Sequence, residues 1–434
     1  MTVTEVARRP ARALAAAFFA AFVAISLSPQ KSLAQAQPVL LEAARYLDVE
    51  SGELVSPARL LVEDGKIAAV NPGSVPDGAV RVDLGERTLL PGLFDVHTHL
   101  VYDIEPGWED APVRATAGDY ALRGARNARL TLEAGFTTVR DLGGAAFADV
   151  ALAHAIEKGW VAGPDIFPAA NALSITGGHC DITGFAPGIA ETGPAEGAAD
   201  GVDEVLKAVR YQIKHGAKTL KLCATAGVLS FEGPVGAQQY TVEEMRAAAQ
   251  EAHRHGMIIA AHAHGTEGII AAVEAGIDSI EHNTRMTEEA ARRIKEAGAY
   301  VVPNLYLTKA VDMSALPPPI AEKMRIVSAS MADSFRRALE HDLKIVFGTD
   351  AAVYPHGENA REFAEHVALG QSEIDAIRSA TTVAAEMMGL ADRGRIAEGL
   401  RADLVAVPGN PLEDISRLES VDFVMKAGEI HKHP

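Results

Sequence analysis

Pro91-Gly92-Leu93-Phe94-Asp95-Val96-His97-Thr98-His99-Leu100 is an apolar run that closes on two histidines one residue apart. With Leu89 and Leu90 before it, the run reads as a short, mostly buried strand ending in polar residues. Side chains alternate along a strand, so His97 and His99 project to the same side. Two imidazoles so placed are able to hold one divalent metal, zinc first among the candidates. Two unrelated, hydrogen-bonded histidines fit the same spacing. Ligands of the right type on later strands are what would separate the two readings.

Downstream, short β-rich runs alternate with helical stretches. The runs are Thr137 to Asp141, Asp165 to Ala169, Thr219 to Cys223, Ile258 to His262, Ile277 to His282, Tyr300 to Pro303 and Lys344 to Gly348. Between them lie Ala-rich amphipathic segments such as Thr241 to His255, Thr266 to Ala275 and Thr287 to Ala297, several stopped by glycine. Eight strands alternating with helices predict an α/β protein, a (β/α)8 TIM barrel.

The two chain ends differ from this middle. Ala58-Arg59-Leu60-Leu61-Val62 and Ile67-Ala68-Ala69-Val70 flank an Asp64-Gly65 step, a strong hairpin signal, and Ala402 to Val407 and Val421 to Met425 repeat the style. Both ends are expected to pair into one small β-sandwich domain, residues 37–90 plus 395–434, with the barrel occupying 91–394. Residues 1–36 read as a signal peptide: Arg8, Arg9 and Arg12, then the apolar run Ala13 to Leu27, then small residues at Ser32-Leu33-Ala34-Gln35-Ala36. The run falls short of the ~20 residues that span a bilayer. The expectation is an exported protein, periplasmic or secreted, with no stable membrane association after cleavage.

Across 434 residues acids outnumber bases by 58 to 40, which argues against nucleic acid or an anionic membrane as the main partner. The partner expected is a small-molecule or peptide-like substrate; a homo-oligomer is compatible with the sequence. Cys180 and Cys223 both fall near the candidate site, and the expectation is two separate thiols. A bridge would need a Cα separation below ~7 Å, which the sequence does not supply.

In a barrel of this kind the chemistry sits at the C-terminal ends of the strands. Those positions hold His97 and His99 on the first strand, Lys221 on the fourth, His262 and His264 on the fifth, His282 on the sixth and Asp350 on the eighth. Each alone has a bland explanation; together they are hard to assign to packing. Either His262 or His264 satisfies the ligand geometry.

Leu90 to His99, Thr176-Gly177-Gly178-His179, Ala261-His262-Ala263-His264-Gly265, Ser279-Ile280-Glu281-His282 and Gly348-Thr349-Asp350 resemble the amidohydrolase superfamily. Within it they look like the imidazolonepropionase-related group that includes prolidase-like and Xaa-Arg dipeptidases and ochratoxin-hydrolysing amidases. The resemblance covers essentially everything after the signal peptide. It implies two divalent metals, zinc by preference, with His97, His99 and Asp350 on the more buried one and His262 and His282 on the more exposed one. N-carboxylated Lys221 would bridge them, because an ammonium cannot ligate a cation whereas a carbamate offers two anionic oxygens. Asp350 would be the catalytic proton carrier.

His179 and His264 are left for substrate or oxyanion contact. Tyr102, Arg140, Tyr240, Asn304, Tyr306 and His356 are further recognition candidates; Arg140 suits a substrate carboxylate, although it is as well placed to pair beneath the site. His264-Gly265-Thr266-Glu267 also resembles the His-x-x-Glu of mononuclear deaminases, but Lys221 has no task in such a site. The Gly- and Pro-rich loop from Gly177 to Asp203 is long enough to cover the site. The expected activity is hydrolysis of the amide to a C-terminal amino acid in dipeptides, N-acyl amino acids or ochratoxin A-like amides. A cyclic amidase or deaminase is the first alternative, a non-catalytic exported binding protein the second.

Overall fold

The computed structural model describes residues 37–434, so the expected signal peptide lies outside the described residues. Eight parallel strands form the centre: β1 (Leu93–Thr98), β2 (Phe136–Asp141), β3 (Asp165–Pro168), β4 (Leu220–Cys223), β5 (Ile259–Ala263), β6 (Ser279–His282), β7 (Tyr300–Val302) and β8 (Lys344–Ile345). They form one sheet of order β3-β2-β1 and another of order β4-β5-β6-β7-β8. Both seams between these sheets are bridged by parallel pairs, Leu173 with Leu222 and Thr98 with Ala351. At the first seam Leu173 N–H donates to Lys221 O at 2.8 Å; at the second Val96 N–H donates to Phe347 O at 3.1 Å.

Strands β1, β2, β4, β5 and β6 are buried along their whole length. Both faces of the parallel core are therefore covered, which is why these runs read as continuously apolar. Successive strands are joined by helices, and the expected segments agree with those observed at Val242–Arg254, Thr266–Ala275 and Glu288–Ala297. Thr241 starts the first with a capping box to Glu244.

The chain ends build two further sheets. Lys66–Val70, Ala58–Glu63, Val39–Ala43 and Val80–Asp83 form one; Glu429–Lys432, Phe423–Lys426, Leu404–Pro408, Arg87–Pro91, Arg45–Asp48 and Glu53–Val55 form the other. The second thus interleaves strands from both termini, and Leu41, Leu60, Ile67, Leu89, Leu404 and Phe423 share one apolar core between the sheets. The Asp64-Gly65 hairpin forms as its sequence predicts, with both residues at positive φ (49° and 76°).

The opening stretch is not a single strand. It breaks at Gly92: Arg87–Pro91 pairs antiparallel with Leu404–Pro408, and Leu93 begins β1. A Cβ at Gly92 would lie 2.2 Å from Thr137 Oγ1, so only glycine lets the chain pass from one sheet to the other here. Asp165 at the start of β3 adds a second join, pairing with Arg393 at 2.7 Å, Arg401 at 2.6 Å and Lys426 at 3.0 Å. Gln37–Pro434 accordingly behaves as one compact unit.

Candidate metal centre and active site

His97 and His99 end β1, and Asp350 follows β8 across the bridged seam. The Nε2 atoms of the two histidines lie 3.4 and 3.3 Å from Asp350 Oδ1, and the three ligand atoms are within 4.8 Å of one another. Their other nitrogens are committed. His99 Nδ1 donates to Gly143 O at 3.0 Å, since a carbonyl only accepts. His97 Nδ1 meets Glu281 Oε2 at 2.8 Å. Burial works against ionisation of Glu281, but the Arg140 guanidinium, the His97 hydrogen bond and Lys221 together outweigh it and hold the carboxyl down at about 2, so His97 Nδ1 is the donor. Both Nε2 lone pairs therefore face the same space as Asp350, the arrangement that outer hydrogen bonds impose on metal-ligating histidines. His97 Nε2 is buried without a hydrogen-bond partner. An orphaned lone pair of this kind fits a divalent cation.

The second group comes from β5 and β6, whose register sets Ala263 beside His282. The His262 ring lies 4.6 Å from that of His282 and 4.5 Å from that of His264; His282 is 5.1 Å from His97. His262 Nε2 is a second buried nitrogen with no partner, whereas His264 Nδ1 is engaged by Thr284 Oγ1 at 2.9 Å. Glu281 and His282 are neighbours in a strand and would ordinarily point to opposite faces. Both nonetheless serve this site, because His282 has φ 68° and its backbone turns the ring back. Asp350, at φ 60°, is bent in the same way. Left-handed backbone at two non-glycine residues is strain concentrated where ligands converge.

Lys221 on β4 is 3% exposed. Burial pulls its ammonium down to about 8, against the opposing pull of Glu281 and Asp350. Asp350 itself is held far below the ordinary carboxylate range: burial opposes this, but His97, His99 and His282 prevail.

His97, His99, Lys221, His262, His264, His282 and Asp350 all line one cavity of about 550 Å³, as do Tyr102 and His179. The structure thus brings together every strand-end residue singled out in the sequence. Its wall is largely apolar, with Ile104, Trp108, Phe185, Phe231, Met324 and Met331. These come from separate loops and helices with no spacing between them, so no sequence pattern announced them. The loop after Gly177 supplies part of this wall through Cys180, Ile182 and Phe185.

Two expected substrate contacts are corrected. Arg140 is fully buried beneath the ligands, donating to Val96 O at 2.7 Å, Ser279 Oγ at 2.9 Å and Glu281 Oε1 at 2.9 Å. It does not line the cavity, so it cannot reach a substrate there, and instead orients His97 through Glu281. Tyr240 is 2% exposed, outside the cavity lining, and its hydroxyl donates to Ala199 O at 3.1 Å. Asn304, Tyr306 and His356 also lie outside the lining; His356 Nε2 donates to Tyr102 O at 3.2 Å. Glu267 sits in the first turn of its helix, away from the cavity. The expectation of two separate thiols is overturned as well: Cys180 and Cys223 form a disulfide, their Cα atoms 6.0 Å apart. Loop and strand, far apart in sequence, meet at the cavity wall.

Residues 88–431 match the Amidohydrolase family. The chain belongs to that family. This amidohydrolase is 33% identical to the ochratoxinase of Aspergillus niger over 413 residues, 88% of this chain and 84% of the relative. The crystal structure of that ochratoxinase superposes with a TM-score of 0.80 over 92% of this chain and 96% of its own, at 30% identity. Imidazolonepropionase of Deinococcus radiodurans is 25% identical over 379 residues, 84% of this chain and 88% of the relative. A Xaa-Pro dipeptidase crystallised with methionine in its active site superposes with a TM-score of 0.87 and 36% identity, covering 91% of this chain and all of the other. The amidohydrolase is therefore a hydrolase of C–N bonds.

Proposed function

We propose that this amidohydrolase uses two divalent metals to cleave the amide bond to a C-terminal amino acid, in dipeptides, N-acyl amino acids or ochratoxin A-like amides. The observation that carries the reading is the convergence of unpartnered His97 and His262 nitrogens, Asp350, His282 and buried Lys221 on one cavity. The names of the ochratoxinase and the Xaa-Pro dipeptidase support the substrate class.

His97, His99 and Asp350 would hold one metal, His262 and His282 the other, with Lys221 bridging as its carbamate. When bound, such metals polarise the scissile carbonyl and ease deprotonation of water. The chain's own groups do the rest. Glu281 fixes the His97 tautomer; Asp350 takes the proton of the attacking water at its carboxylate and passes it to the leaving nitrogen. His264 and His179 face the carbonyl oxygen or its neighbours, and Tyr102 contacts substrate. The apolar wall receives a hydrophobic acyl group or side chain.

The same reading takes the eight strands as a closed (β/α)8 barrel over 91–394 and the terminal sheets as a β-sandwich of 37–90 plus 395–434. The two bridged seams and the shared terminal core support it. Export belongs to it too, since a disulfide suits an oxidising compartment. Among the described residues no helix is long and apolar enough to cross a membrane. The relation to imidazolonepropionase favours, as a second reading, opening of a cyclic amide on the same centre.

The test is a hydrolysis screen of zinc-loaded protein against dipeptides, N-acyl amino acids and ochratoxin A, with metal counted per chain. Two metals, and loss of activity in Lys221→Ala, are expected. One metal with a dominant effect of Glu267→Ala, or ring-opened or deaminated products with every amide intact, would overturn the proposal. Binding without turnover would leave a capture protein.

A further inference from the structure

His179 stands in the long irregular connection between β3 and the helix Gly201–Lys214, yet it is held from several sides. Its backbone N–H donates to Gln239 Oε1 at 3.1 Å. Its Nδ1 lies 2.6 Å from Ser230 Oγ, and Ser230 Oγ lies 2.6 Å from Glu232 Oε1. Ser230 has a single proton, which goes to the carboxylate; its oxygen therefore accepts from His179 Nδ1–H, and the imidazole tautomer is set. Buried Lys323 donates to Ser230 O at 2.8 Å and Glu232 O at 2.6 Å, pinning that segment to the helix Pro318–Glu340. The ring tip rests on Gly227, where a Cβ would fall 2.1 Å from His179 Nε2.

On the other side the next residue, Cys180, is bridged to Cys223, two positions beyond Lys221 and paired in register with His262. The result is a His179 ring 4.3 Å from that of His262, its side chain 17% exposed. None of the groups that hold it is needed to hold a metal.

We infer that the Cys180–Cys223 disulfide and the Ser230–Glu232 pair are two arms of a clamp that positions His179 beside His262, so that full turnover requires the bridge to be oxidised. For its kinetic consequence the inference rests on the amide-hydrolase reading; for its geometric consequence it does not. Cys180, Cys223, Ser230 and Glu232 are positioning residues in this scheme. A dithiol reductant opens the clamp: the Cys180–Cys223 bond breaks, two electrons and two protons pass to it, two thiols form and the dithiol closes to its own disulfide.

The experiment compares wild type, C180A/C223A, E232Q, H179N and the combinations of the last with the others. One readout is kcat and KM of the zinc-loaded protein on an N-acyl-L-phenylalanine. The other, free of substrate, is the rate at which diethylpyrocarbonate labels His179, followed by peptide mass spectrometry. C180A/C223A and E232Q should each lower kcat by ~10- to 100-fold, the scale of an ångström's misplacement, with a smaller change in KM. Neither should lower it further in the H179N background, and His179 labelling should speed up in both. Dithiothreitol should reproduce these effects in wild type, reversibly, and leave C180A/C223A unchanged.

Losses that stay additive in H179N would overturn the inference. So would wild type with both thiols titrated yet kcat and labelling unaltered. If C180A/C223A does not fold, E232Q and reduced wild type carry the same test. A wild type that hydrolyses no amide would sink the function reading, while the labelling rates would still decide the clamp.

Discussion

Glu281→Gln tests whether the layer beneath the ligands controls the centre. Glu281 is wholly buried and accepts from Arg140 Nη2 at 2.9 Å, His97 Nδ1 at 2.8 Å and Ser279 Oγ at 2.6 Å. Glutamine keeps the volume and removes the charge. Two charge-dependent effects follow. Arg140, also wholly buried, loses its counter-ion, and breaking a buried pair from one side costs ~3–5 kcal/mol. In addition the amide NH2 of glutamine can donate to His97 Nδ1, which frees the opposite tautomer, with the proton on Nε2 where the lone pair is needed. Removing such an outer partner lowers metal affinity by ~10- to 100-fold. The assay is competition of zinc between the protein and a chromophoric chelator at fixed pH, beside a thermal melt of both proteins stripped of metal. A Glu281→Gln protein that melts lower but binds zinc as wild type does would refute the claim that Glu281 sets the His97 tautomer. Unchanged melting would refute the buried-pair argument.

Asp350→Asn should retain a folded chain and lower kcat by ~10²–10⁴-fold, the usual worth of a positioned proton carrier; burst-free kinetics on a dipeptide would read it. Gly92→Ala forces a Cβ to within 2.2 Å of Thr137 Oγ1 and should cost ~1–3 kcal/mol as a lowered melting temperature, partly recovered by Thr137→Ala in the same chain. Asp165 is held well below the usual carboxylate range: burial opposes its ionisation, but Lys426, Arg401 and Arg393 outweigh it. A carboxyl depressed in the folded state stabilises fully above its unfolded pKa of ~3.9 and loses that contribution as pH falls towards its folded value. The melting-temperature gap between wild type and Asp165→Asn should thus be widest at neutral pH and close progressively below pH ~4. Phe231→Ala should raise KM for aromatic acyl substrates more than for acetyl ones, since Phe231 lines the cavity wall.

The parallel α/β core, its strand positions and the hairpins of the chain ends were legible in the sequence because they rest on local rules: apolar runs, caps, glycine stops and an Asp-Gly turn. The ligand candidates were legible for a related reason. Alternation along β1 puts His97 and His99 on one face, and chemistry at strand ends limits the positions worth reading. What local rules could not reach were pairings across the fold. Arg140 lies near the end of a β-rich run as a ligand would, and only the packing of β2 against β1 and β6 shows it spent on Glu281 beneath the site. Tyr240 fails as a substrate contact because Ala199 O is there to take its hydroxyl. His282 reaches the cavity through a positive φ that no alternation rule predicts. The Cys180–Cys223 bridge depends on a 6.0 Å approach of a loop to β4 across 43 positions of sequence. By itself, then, the sequence determined the strand-and-helix order and which side chains are competent to bind metal. The tertiary structure alone decided which of them face one another, which serve from beneath, and what shape of cavity they share. A strand's periodicity carries one face, but no distance to another strand.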